Sequence, residues 1–382
     1  MTGEGRDLPM GRGREQAPMR VLLVTNSLAN GGLERQLSLL ARTLPSQFDV
    51  RIWAMDGGPH EAPLRAANVP LIVRPRRFRV DVTPALDLWR CIAAWRPHVV
   101  HSWHWMPSAA AVPACLALGI PLVDGSIRMG SIPHERGRPR RGIMRFATLV
   151  VANSRAGLNA WRVSSEKGRV IYNAFEAERL TTVPSEDPHR HLDDRFTVVM
   201  AARMDPPKDF RTVLRAARAL HAVDPHGWRF VLIGAGADRK SIIDEAEDLV
   251  RAGLVEFPEL GTEVVGYLRE SDVGVLMSDP SVLAEGCPNS VMEYMACGLP
   301  VICANSGGCR EVLGGDAGIV VPPKDATALG SALTFLRDRE DVRERMEIAG
   351  RARVATAFTV ARMAQEFAAL YVEAAARGRG ER

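Results

Sequence analysis

The sequence predicts an α/β protein made of two doubly wound parallel-sheet domains that face a cleft. Three observations carry this reading. The chain's 382 residues exceed one ordinary domain and suit two. Apolar runs and helical stripes alternate along it, the mark of repeated β-α units with right-handed crossovers. A polar segment over 184–194 then interrupts the pattern, which restarts beyond it.

Taken in order, residues 1–18 are rich in Gly and Arg and lack an apolar run. They read as a disordered stretch and not as a secretory signal, so a cytoplasmic protein ordered from about Met19 is expected. The first domain, 19–183, opens on Arg20–Asn26, a continuous apolar run typical of a strand covered on both faces. Asn30, Gly31 and Gly32 break it. Leu33, Leu37, Leu40 and Leu44 then recur at helical spacing, with Glu34 in the first turn where the helix dipole favours an acid. Strands are expected around Val50–Met55, Pro97–His101 and Thr148–Asn153, with helical stretches between, and a short strand Arg169–Tyr172 closes this half. After the linker 184–194, the second domain spans 195–358. Its strands are Phe196–Ala202, Trp228–Ile233, Val273–Met277, Leu299–Cys303 and Gly318–Val321, and Phe210, Val213, Leu214, Ala217 and Leu220 stripe one helix. Helical patterns run from Ala326 to about Ala375. The segment 359–382 reads as a helix and tail able to pack back on the first domain.

Composition narrows the function. Hydrophobic residues make up 46% and charged residues 25%, enough to build cores and to exclude a wholly disordered chain. No run approaches the roughly 18 apolar residues of a membrane span. The six cysteines show no C-x-x-C pairing and no histidine at zinc spacing, so they read as reduced thiols and no metal site is expected. Charge is uneven. Residues 1–190 carry 26 Lys and Arg against 16 Asp and Glu, and the remainder 23 against 29. Arg74, Arg76, Arg77 and Arg79, then Arg136, Arg138, Arg140 and Arg141, cause the excess. They suit an anionic membrane surface or a phosphorylated substrate, or equally ordinary solvated loops. No nucleic-acid-binding motif accompanies them.

The unusual residues follow strand ends. Arg203 and Lys208 flank a Pro-stiffened loop, where a planar fork and a point charge suit a diphosphate; exposed loop cations would look the same. Glu285 and Glu293 bracket a helix start. Ser290 and Glu293 also fit a capping box, which would give Glu293 a local role, whereas Glu285 has no such excuse. Amides around Asn289, Ser290 and Val291 are available to ligand oxygens. The helix should end at Gly298, before Pro300. Gly307 and Gly308 open another helix, where a phosphate could approach the backbone. The Gly234-Ala235-Gly236 turn lacks the third glycine of a dinucleotide fingerprint, which disfavours nicotinamide chemistry. His101 and His104 lie beside Trp103 and Trp105, either orienting a hydroxyl or packed as satisfied core histidines.

Together these residues resemble the family 4 retaining glycosyltransferases of GT-B fold, two Rossmann-like domains facing a cleft. The resemblance covers nearly the whole chain. It is most specific at Glu285-x7-Glu293, continuing through Tyr294–Val301, and at Gly307-Gly308-x-x-Glu311. Asn30–Glu34, Val150–Ser154, Val170–Asn173 and Arg203 with Lys208 support it. The resemblance implies a nucleotide-diphosphate sugar bound by the second domain, with Arg203 and Lys208 on the diphosphate. Glu293 would hold the ribose, Glu285 the sugar near its reacting carbon, and Asn289, Ser290, Val291 and Gly308 would seat sugar and phosphate. Gly31 and Gly32 would let the first domain close over the diphosphate. His104 and Arg128 are placed on the acceptor or sugar side; many members carry a histidine where Trp103 stands here.

The activity so implied is transfer of a hexose-type sugar to a glycan or lipid-linked acceptor, as in polysaccharide biosynthesis. No D-x-D cluster occupies a matching loop, so Arg203, Lys208 and Glu285 would act without a metal or other cofactor. Alternatives are a nucleotide-sugar epimerase or hydrolase on the same fold, and a non-catalytic nucleotide-sugar-binding subunit.

Overall fold

The computed structural model describes residues 17–29, 31–78, 81–131, 137–180, 194–259 and 264–380. Most of the expected disordered stretch 1–18, nearly all of the linker 184–194, and Asn30, Arg79 and Arg136 lie outside the described residues.

The first domain contains β1 (Met19–Thr25), β2 (Phe48–Ala54), β3 (Leu71–Val73), β4 (Val99–Ser102), β5 (Leu122–Ile127), β6 (Leu149–Ala152) and β7 (Gly168–Val170). They form one sheet in the order β3-β2-β1-β4-β5-β6-β7, every pair parallel. The second domain contains β8 (Phe196–Ala201), β9 (Trp228–Ile233), β10 (Val255–Glu256), β11 (Val273–Leu276), β12 (Val301–Ala304) and β13 (Gly318–Val321). Its order is β10-β9-β8-β11-β12-β13, again parallel throughout. Helices cover both faces, which is why β1, β8 and β9 are near-continuous apolar runs. In each sheet the order reverses beside the first strand, so a crevice opens at the carboxyl ends there.

Three strands differ from the sequence reading. β3 and β10 are edge strands of three and two residues, too short to leave a periodic signal. β5 is fully buried, yet Asp124, Gly125 and Ser126 interrupt its apolar run, and its register with β6 shifts between Asp124 and Ile127. The buried Asp124 carboxylate accepts from the Ser126 amide at 2.9 Å.

The C-terminal part is three helices, Ala326–Asp338, Glu340–Ala357 and Val360–Gly378. The last returns to the first domain. Thr359 caps it, accepting from the Arg362 amide at 3.1 Å. Met363, Phe367, Leu370, Tyr371 and Ala374 enter the core formed by Val21, Leu23, Leu37 and Val99. Tyr371 meets His101 Nδ1 at 2.8 Å, so His101 is a core histidine enclosed by Trp103, Phe367 and Tyr371. Replacing Phe367 by Ala should leave a cavity costing about 3–5 kcal/mol, read as a lowered urea midpoint of the first domain. A loss below about 1 kcal/mol would show that this helix is not part of that core.

Candidate functional site

The site begins where β8 ends. The loop Ala202–Asp209 is pinned by backbone bonds from Lys208 N to Asp205 O (2.8 Å) and from Asp209 N to Met277 O (3.0 Å). Asp209 then caps the helix Phe210–Val223, accepting from Thr212 N at 3.0 Å. This anchoring presents two cations at the strand end. The Arg203 side chain is 77% exposed and pairs with Asp205 at 2.9 Å. Lys208 turns inward and pairs with Glu285, whose Oε1 also accepts from Ser278 Oγ at 2.5 Å.

The backbone of Glu285 is held as firmly as its carboxylate. Its amide donates to Ser306 Oγ (3.3 Å) and its carbonyl accepts from Gly308 N (2.9 Å). A Cβ on Gly307, where φ is 52°, would stand 2.0 Å from Glu285 O; one on Gly308 would stand 1.9 Å from Gly286 O. The double glycine therefore lets two backbones press together. This corrects the phosphate-binding role expected for Gly308: its amide hydrogen is already given to Glu285, so it braces the loop instead.

The helix Asn289–Cys297 starts from Pro288 without a side-chain cap, so the Ser290–Glu293 capping box does not form. Its first-turn amides consequently have no carbonyl partner within the helix. Val291 is fully buried and can offer the site only its amide. Glu293 reaches across to Arg35 of the first domain at 3.0 Å. The helix ends where Gly298 takes φ 86°.

The first domain closes the other side. Gly31 precedes the helix Gly32–Thr43, and a Cβ on Gly32 would meet Asn289 Nδ2 at 2.7 Å. Asn173 Nδ2 donates to Cys287 O and Asn289 Oδ1, both at 2.9 Å. Met129 forms an antiparallel bridge with Glu285, and Gly130 N donates to Ala284 O at 3.0 Å. Behind these contacts, Glu311 accepts from the amides of Arg155 (2.8 Å) and Ala156 (3.3 Å) and from the Tyr172 hydroxyl (2.7 Å).

Between the walls lies a cleft of about 430 Å³. Of the residues expected from the sequence, Gly31, Gly32, Arg128, Arg203, Lys208, Glu285, Asn289, Ser290 and Glu293 line it. Val291, Gly308 and His104 lie outside that lining. Sequence reasoning missed Arg35, Asn153 and Asn173, which do line it. Asn153 and Asn173 stood within matched stretches and could have been found there. Arg35 left no signal, because its partner Glu293 is 258 residues away.

Two family models match the chain: one described as Glycosyltransferase Family 4 over residues 30–179, and one as glycosyl transferases group 1 over residues 195–339. This chain belongs to the family 4 type of glycosyltransferases. Curated relatives include the D-inositol 3-phosphate glycosyltransferases of Acidothermus cellulolyticus, 26% identical over 63% of this chain and 59% of that protein, and of Thermobispora bispora, 25% identical over 93% and 89%. The chain thus spans about three fifths of the Acidothermus relative. Among solved structures, Anabaena HepE in complex with UDP has TM-score 0.80 at 19% identity, covering 93% of this chain and all of that one. WaaG, of lipopolysaccharide biosynthesis, has TM-score 0.65 at 14% identity, covering 94% and 99%. The fold of this chain is GT-B.

His104 lies outside the lining of the cleft. Asn26 N donates to its Nδ1 at 3.3 Å, Thr25 Oγ1 lies 3.1 Å from the same atom, and Glu34 lies 3.9 Å from Nε2. Burial, then the charges of Arg128 and Arg140, pull its pKa down to about 4. The fold therefore favours the neutral ring. That contribution is complete above about pH 6.5 and is lost as pH falls toward 4. Denaturant stability should fall across this window, and His104→Gln should flatten part of the slope. An unchanged slope in the variant would show that His104 is not held neutral by the fold.

Proposed function

We propose that the protein transfers a sugar from a nucleoside diphosphate donor to a glycan or lipid-linked acceptor, with retention and without a metal. One observation carries this reading: Arg203, Lys208, Glu285 and Glu293 line a single interdomain cleft beside an uncapped helix start. Breaking the bond between the anomeric carbon and the β-phosphate oxygen leaves the electron pair on the diphosphate and positive character on the sugar. Arg203 and Lys208 meet the first charge where it develops. Lys208 is held by Glu285. An entering diphosphate competes for that ammonium and releases Glu285 oxygens to the sugar hydroxyls. Glu293 accepts from the ribose, and Gly31 and Gly32 admit the diphosphate close to the first domain's backbone. The acceptor oxygen attacks from the departing side, and a phosphate oxygen takes its proton.

Lys208→Ala and Arg203→Ala should each lower turnover by about 10²–10³. Near-normal turnover in both would overturn the assignment. Nucleoside diphosphate released only with acceptor present supports transfer. Release without acceptor indicates a hydrolase, an isomerised donor indicates an epimerase, and binding without turnover indicates a sensor.

We also propose that the first domain rests on an anionic membrane surface, where lipid-linked acceptors lie. Among the described residues no helix is long and apolar enough to cross a membrane. A lateral contact is nonetheless supported. Phe78, Val82 and Leu86 are 64%, 63% and 54% exposed beside exposed Arg76, Arg77 and Arg90. They follow β3 and begin the helix Thr83–Trp95, at the carboxyl edge on which the cleft opens. The second arginine cluster contributes less than expected, because Arg140 is buried against the Trp105 ring. Flotation with vesicles containing acidic lipid should show binding at low salt that weakens as salt rises and on Leu86→Glu. No binding at low salt would remove this part of the proposal.

A further inference from the structure

Arg128 follows β5, and the Met129–Glu285 bridge fixes it in the first-domain wall beside Glu285. Its guanidinium lies 4.2 Å over the ring of the fully buried Trp103, and Nε donates to Gly125 O at 2.9 Å. Nη2 is shut away from solvent and has no hydrogen-bond partner. The other cations of the cleft lining each hold a carboxylate: Arg35 holds Glu293, Arg203 holds Asp205 and Lys208 holds Glu285. Among the described residues Arg128 has no carboxylate partner. Desolvation of this half-buried guanidinium draws its pKa down to about 10, against the opposing pull of Tyr371, Cys287 and Asp124. The surroundings add further unpartnered nitrogens: His101 Nε2 and Trp103 Nε1 are also buried without partners. Asn153, on the same lining, likewise keeps a buried Oδ1 without a partner.

Resting on the transferase reading above, we infer that Arg128 receives an oxyanion, a carboxylate or phosphate, carried by the transferred sugar or by the acceptor. The donor's diphosphate belongs to Arg203 and Lys208 on the opposite wall. Beside Glu285 the ligand group that meets Arg128 comes from the glycosyl unit or from what receives it. The guanidinium, already oriented by Trp103 and Gly125, loses little freedom in meeting an oxyanion.

Calorimetric titration of the full chain distinguishes the two sources. One arm compares UDP-glucuronate with UDP-glucose. The other, at saturating UDP, compares glucose 6-phosphate with glucose and adds inorganic phosphate as competitor. In one arm the charged ligand should bind about tenfold or more tightly than its neutral counterpart. Arg128→Gln should abolish that preference, Arg128→Lys should keep part of it, and UDP affinity should stay within about twofold, which also reports a folded variant. Equal binding of charged and neutral ligands in both arms overturns the inference, as does a preference that survives Arg128→Gln. UDP binding separates this inference from the reading beneath it. A charge preference without nucleotide binding leaves the oxyanion receptor standing and removes the donor reading. Nucleotide binding without the preference does the reverse.

Discussion

Glu311 places its carboxylate against the Arg155 and Ala156 amides, at the start of a helix in the other domain. Those amides have no carbonyl partner inside their own helix, and the helix dipole makes that end attractive to an anion. Ser154 supplies the remaining cap by accepting from Gly157 at 3.1 Å. One side chain thus completes a helix and joins two domains. The rest of the cleft follows from that alignment: the Met129–Glu285 bridge, the Asn173–Asn289 bond and the Arg35–Glu293 ion pair all lie along the same seam. The return of the C-terminal helix to the first domain adds an apolar tie at a distance from the site.

Within this frame, charge is arranged in advance of any ligand. Lys208 and Glu285 hold each other, and Ser278 and Ser306 fix the acid's side chain and backbone. Keeping the pair intact avoids a lone buried charge and keeps both groups where the developing charges of a glycosyl transfer would appear. Arg128 departs from this economy. Its neighbours stack on it and accept from its Nε, yet no carboxylate pairs with it as Glu293, Asp205 and Glu285 pair with the other cations of the cleft.

The glycine-rich turn after β12 illustrates how one pattern serves two ends. Gly307 and Gly308 look like a phosphate cradle in sequence, since bare backbone amides suit an anion. In the fold the same lack of Cβ atoms admits the Glu285 and Gly286 backbone instead. A spacing rule sees the permitted approach but not which backbone arrives.

By itself the sequence determined the alternating architecture, the division into two domains and the strand-end positions of Arg203, Lys208, Glu285 and Glu293. Hydrophobic periodicity and loop chemistry are local properties, written within a few residues of where they act. Short edge strands such as β3 and β10 and the polar-interrupted β5 left no such periodicity. Only the tertiary structure decided that Arg35 meets Glu293, that Glu311 caps a helix 156 residues earlier, that the Gly308 amide is given to Glu285, and that the Asn26 amide donates to His104. Each of these depends on which partner folding brings near. Sequence distance carries no record of that choice.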